Sequence, residues 1–165
     1  MEINLLVTAA AAIIPLFIGF IWYNPKVFGN TWMKECGFNL SEIKAPNPII
    51  YLWCYLLSFL AALTINFLVI HQWGIFSTLI DEPGFMEQGS EIQLFFQDFM
   101  SKYGTNFRTF NHGSFHGLFA GLTLAFPILG TNAMFEQKSF KYVLINGGYW
   151  TVTFALMGGV ICQFT

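Results

Sequence analysis

Charged side chains are absent from residues 3–25, 45–80, 109–135 and 142–165, and every charge in the chain lies between these windows or at Glu2. Inside the windows, apolar residues run on without the alternation of a membrane strand. A helix rising about 1.5 Å per residue needs roughly 20 apolar residues to cross about 30 Å of hydrocarbon. Each window is long enough for one crossing. Hydrocarbon offers no water to backbone N–H and C=O groups, which selects helix. The pattern predicts an all-α fold, a four-transmembrane-helix bundle with helices at about 3–22, 48–71, 113–132 and 142–162. Residues 1–165 then form a single integral membrane domain with an extracytoplasmic insertion at about 72–112.

The segments between windows carry their own signals. Pro25 disfavours helix at Asn24 and ends the first span there. The following stretch mixes Phe28, Trp32 and Met33 with Lys26 and Lys34, which suits a segment lying along the membrane surface. Ser41 and Glu42, then Ala45-Pro46-Asn47-Pro48, read as a turn into the second span. In the insertion, Ser90 with Gln93 forms a capping-box pattern. Ile92, Phe95, Phe96 and Phe99 follow at helical spacing, and Gly104 ends the run. A short amphipathic helix over the outer mouth of the bundle, or on the lipid surface, is expected. Met1-Glu2-Ile3-Asn4 lacks the basic flank of a cleaved signal, so the first span reads as a retained anchor.

Composition narrows the classes. Only 10% of the 165 residues are charged, against about 25% in soluble domains, and 55% are apolar with a mean hydropathy of +0.57. A disordered chain is excluded, and a soluble monomer would expose large apolar patches. A net charge of −2 supplies no basic surface for nucleic acid. Cys36, Cys54 and Cys162 make no disulfide framework and read as small buried residues. Lys26, Lys34 and Lys44 in the first loop, with Lys138 and Lys141 in the third, outnumber Lys102 and Arg108 in the second. The bias places the first and third loops in the cytoplasm, with both termini and the long second loop outside.

Polar groups inside hydrocarbon are expensive and point to function or packing. No Lys, Arg, Asp or Glu stands well inside a span, so a carboxylate relay or a voltage sensor lacks its parts. The neutral candidates are Asn24, Asn132, Asn146 and Tyr149, walled by Trp22, Tyr23, Pro25 and Trp150, with Pro127 kinking the third span at similar depth. They form either a ligand pocket or a set of interhelical bonds worth about 0.6 kcal/mol each. His112 and His116, four apart on one helical face, share the outer boundary with His71, which could approach them, as could Glu91 or Asp98. Such spacing can hold a metal, although a glutamate base between the histidines is missing; the alternative is interfacial histidines bonding water and headgroups. Gly117 and Gly121 form a GxxxG on the third span, and Gly147-Gly148 lie on the fourth. Close helix contact is expected there, the third and fourth spans forming the tight pair, with a dimer face at the GxxxG as the alternative. No catalytic residue and no cofactor is assigned.

Trp22-Tyr23-Asn24-Pro25, Phe28-Gly29 and Trp32-Met33 resemble the W-Y-S-P…F-G…W-M signature of the domain of unknown function family 1761, small bacterial membrane proteins. The runs Asn132–Glu136 and Leu144–Trp150, with Leu156-Met157-Gly158-Gly159 and His116-Gly117, resemble its other motifs. Asn24 stands where serine is usual, and the second loop is longer than is typical. The resemblance implies a four-helix integral protein of a bacterial cytoplasmic membrane and carries no activity. A non-enzymatic oligomeric or accessory subunit of a membrane assembly is the first expectation, its partners being membrane lipid and other membrane subunits or itself, without nucleic acid. A carrier or channel for a small neutral or amphipathic solute is the alternative. An outer-surface enzyme acting on lipid through its histidines is the second alternative.

Overall fold

In a computed structural model, the described residues are 1–38 and 46–165. The expected turn residues Ser41, Glu42 and Ala45, and also Lys44, lie outside them. Among the described residues the fold is all α, and four helical runs are long and apolar enough to cross a membrane: Leu5–Trp22, Ile49–Val69, Phe110–Phe135 and Phe140–Phe164. Leu6, Phe20, Phe119 and Phe135 stand exposed on them. Water would penalise such a surface and hydrocarbon would not, which suggests a membrane protein.

The first run is not the single regular helix expected. It consists of α1 (Leu5–Ala11), started by Asn4 Oδ1 accepting the Val7 N–H, and α2 (Ile14–Trp22). Pro15 at the second position of α2 has no N–H to donate, so the ladder lapses at Ala12–Ile13. A turn knitted by Asn24 follows: its Oδ1 accepts from Lys26 N at 2.9 Å and its carbonyl from Gly29 N at 2.9 Å. A Cβ on Gly29 would strike the Tyr23 carbonyl, so this turn requires glycine. Then come α3 (Gly29–Cys36) and α4 (Ile49–Val69).

The insertion contains two helices rather than one. The expected helix is α6 (Glu91–Tyr103), capped by Ser90 Oγ, while Gln93 reaches back to Gly89 N. Ahead of it runs α5 (Gln72–Leu79), which the amphipathic pattern did not reveal. Phe76, Phe85 and Phe96 pack as a small aromatic core between them, with ring centroids 5.3–6.1 Å apart.

The third run starts earlier than expected, with Thr109 capping α7 (Phe110–Ala120). A π-helical turn at Gly121–Ala125 leads into α8 (Phe126–Phe135), which carries Pro127 in its first turn. The irregularity expected from Pro127 is therefore a π turn on its N-terminal side, a local adjustment that can re-satisfy backbone groups freed by a proline. The last run is α9 (Phe140–Phe164), and α7 lies along it. A Cβ on Gly113, Gly117 or Gly121 would run into Gly158, Phe154 or Thr151 of α9, two of them against carbonyl oxygens. This backbone-to-backbone approach gains dispersion contacts where no hydrophobic drive exists. Gly147 packs on the Phe126 ring and Gly148 faces the Trp22 indole. Ala11, Ala12, Ala62, Ile65, Ala120, Met157 and Ile161 complete the core.

Cys162 is buried, but Cys54 is exposed and Cys36 only half-buried, so the expectation of three buried cysteines is corrected. A thiol is polarisable enough to face other apolar groups outside the core. The first and third loops meet at one end, where Lys138 Nζ donates to Cys36 O at 3.3 Å and Glu35 contacts Ser139 and Lys141. We call this the basic end. His71 and the insertion occupy the opposite end.

Candidate functional site

Two side-chain clusters emerge, one at each end. At the basic end, Pro25 and the Asn24 turn bring Trp22 and Tyr23 against α9. Trp22 Nε1 donates to Ile145 O at 3.0 Å, and the Tyr23 hydroxyl donates to Asn146 Oδ1 at 2.9 Å. Asn146 Nδ2 donates to Tyr142 O at 2.9 Å, which sets the orientation of the amide. One turn further along α9, the Tyr149 hydroxyl donates to Pro15 O at 2.8 Å, a carbonyl beside the interruption between α1 and α2. The Tyr23 ring then sits 5.1 Å from Trp32 and 5.2 Å from Tyr149.

This aromatic lattice walls one side of a cleft of 620 Å³. Tyr51, Cys54 and Ser58 of α4 line the other side. The lining is mostly apolar, with Tyr23, Asn24, Tyr51, Ser58 and Tyr149 among its few polar groups. Such a balance suits a small-molecule site, in which a few polar groups orient an otherwise apolar ligand. The Tyr23 and Tyr149 O–H groups are already donating, so each of these phenolic oxygens retains lone pairs as an acceptor. Burial, and to a lesser degree neighbouring Tyr149, Tyr142 and Cys36, holds the Tyr23 phenol above its ordinary range, so it stays neutral.

The structure divides the polar cluster expected from the chain. Tyr23, Asn24, Pro25, Tyr149 and Trp150 line the cleft. Trp22 and Asn146 stand behind its wall and tie α2 to α9. Asn132 is the correction: it lies exposed on α8 and does not line the cleft. No residue of α8 lines the cleft, so the helix as a whole stands apart from it. Sequence reasoning passed over the α4 wall, where Ser58, polar within an apolar helix and 2% exposed, was the available signal.

At the opposite end, His71 ends the α4–α5 turn while His112 and His116 lie one turn apart on α7. Because Thr109 Oγ1 caps the helix by accepting from His112 N, both α7 histidines are helical. His71 Nε2 is 2.8 Å from His112 Nε2, and one nitrogen from each ring falls within 4.8 Å of the others. Glu91 and Asp98 do not join this group, contrary to the expectation; Asp98 instead pairs with Lys102 along α6 at 2.7 Å. A second cleft, of 410 Å³, opens beside His71, between α5 and α6. It is braced by Gln72 Nε2, which donates to Tyr103 O and Asn106 O at 3.0 and 3.1 Å.

The family model described as protein of unknown function DUF1761 matches residues 6–162. The chain belongs to this family. Neither a curated protein nor a solved structure matches it. In this DUF1761 member, the Trp22–Pro25 run gives three residues to the cleft and one to the wall behind it. From the Asn146–Trp150 run, Tyr149 and Trp150 line the cleft on the same side as Tyr23, while Asn146 stands behind that wall.

Proposed function

We propose that the protein is a multi-pass, non-catalytic binding protein of a bacterial cytoplasmic membrane, holding an amphipathic solute in the cleft at its basic end. Residues 1–165 act as one integral domain, with the first and third loops cytoplasmic and the termini and insertion outside. The lysine distribution supports that sidedness, because the basic loops meet at one end of the bundle. The observation that carries the reading is the cleft itself, a mostly apolar space with a few polar groups. Acceptor lone pairs on Tyr23 and Tyr149 favour a solute bearing an O–H or N–H donor on an apolar body.

The test is native mass spectrometry of the protein extracted in mild detergent, compared with Cys54→Trp. Cys54 lines the cleft and is exposed, so the indole fills the space without removing a core contact. The expected result is a retained amphipathic molecule on the wild type and its loss from the variant. Equal retention by both, or none by either, would overturn the reading.

Service as an accessory subunit is a second reading, favoured by Met86, Leu94 and Phe95, which stand exposed on the insertion. It predicts a native particle much larger than 18.7 kDa of protein. A monomer across several detergents would contradict it.

A further inference from the structure

The histidine end carries a separate inference, independent of the cleft. Ring centroids of His71, His112 and His116 are 4.5–5.0 Å apart, each pair meeting edge to face at 61–79°. Phe107 lies 5.1 Å from His112, and Phe115 lies 5.6 Å from His116, so the rings are packed rather than splayed into solvent. A neutral imidazole carries one N–H and one lone pair. One shared proton accounts for the 2.8 Å contact between His71 and His112. It leaves the His116 ring without a hydrogen-bond partner among the described residues.

We propose that His71, His112 and His116 bind one divalent transition-metal ion, zinc in the first instance. A cation takes up all three lone pairs at once. Tetrahedral zinc at about 2.0–2.1 Å from nitrogen sets its ligand atoms roughly 3.3 Å apart. The three nitrogens here bracket that separation, with a closest pair at 2.8 Å and all within 4.8 Å, so small ring rotations complete the set. The helical spacing fixes two ligands, and His71, which is exposed, leaves the ion a route in.

Three protein ligands leave a fourth position for water or an added oxygen ligand, an open coordination sphere rather than the closed one of structural zinc. No carbonyl or carboxylate among the described residues orients the histidine rings from behind, a support that tight sites have. A reversible site follows. His71 also lines the 410 Å³ cleft, so the ion would sit at the edge of a mainly apolar space.

The experiment uses the full chain in detergent, stripped with chelator and carrying no polyhistidine tag. It is titrated with Zn²⁺ and, separately, with Co²⁺. One Zn²⁺ per chain is expected, together with the intense visible absorption of four-coordinate cobalt. His112→Ala and His116→Ala should each weaken uptake beyond the roughly 10–100-fold that loss of a mere supporting partner costs. Uptake of wild-type strength in both variants, or no stoichiometric uptake by the wild type, overturns the proposal. Should the variants misfold, the wild-type cobalt spectrum decides: only a weak six-coordinate spectrum overturns it as well.

Discussion

The Tyr23 hydroxyl and Asn146 Oδ1 meet at 2.9 Å, joining the turn after α2 to the first half of α9. That bond turns the Tyr23 ring toward Trp32 and Tyr149 and makes it a wall of the cleft. It also explains why Asn146 is absent from the lining while remaining tied to it. The amide is half-buried and its N–H is already committed to Tyr142 O.

Asn146→Leu leaves the Tyr23 hydroxyl without its acceptor, and stability should fall by about 1–3 kcal/mol. Thermal unfolding in detergent measures it. Because the two groups act as a pair, adding Tyr23→Phe to Asn146→Leu should cost less than the sum of the single changes. Simple additivity would show that the bond does not hold the wall.

Alkaline pH tests the same phenol. Its ordinary value is near 10, and burial keeps it protonated above that in the folded protein. The folded state therefore binds a proton that the unfolded state has lost. Stability from this group is intact below about pH 10 and declines as pH rises above it. The wild type should lose melting temperature more steeply than Tyr23→Phe between pH 9 and 11 (about one unit either side of the ordinary value). Parallel slopes would contradict the burial argument.

The glycines on α7 and α8 should differ in sign. Gly117→Ala pushes a Cβ into the Phe154 carbonyl of a packed helix and should destabilise by about 1–3 kcal/mol, as overpacking does. At Gly130 the new Cβ would meet only Val143 Cγ1 at 3.5 Å, an ordinary contact. Gly130→Ala should therefore be neutral or stabilise by up to about 1 kcal/mol through helix propensity. Melting temperatures of the two variants in one detergent compare them directly.

The position of the apolar helices was legible in the chain because it depends on a local quantity, the spacing of charges along each segment. The Ser90 cap and α6 were legible for the same reason, as a side chain three residues from the N–H it accepts leaves a local mark. The α5 helix had no comparable amphipathic stripe. The interruption at Ala12–Ile13 did have a local signal, the missing N–H of Pro15. The irregularity near Pro127 was legible for the same reason, though its π form was not. Asn132 and Asn146 look alike in one dimension, yet one is exposed on α8 and the other bonds Tyr23. Helices apolar on all sides carry no stripe that reveals their rotation. Rotation is decided by contact, here by α7 glycines seating against α9. The meeting of His71 with His112, 41 residues away, likewise required the end of α4 and the start of α7 to come together in space. Solvent preference is written residue by residue, whereas the facing of one helix toward another exists only once both are packed.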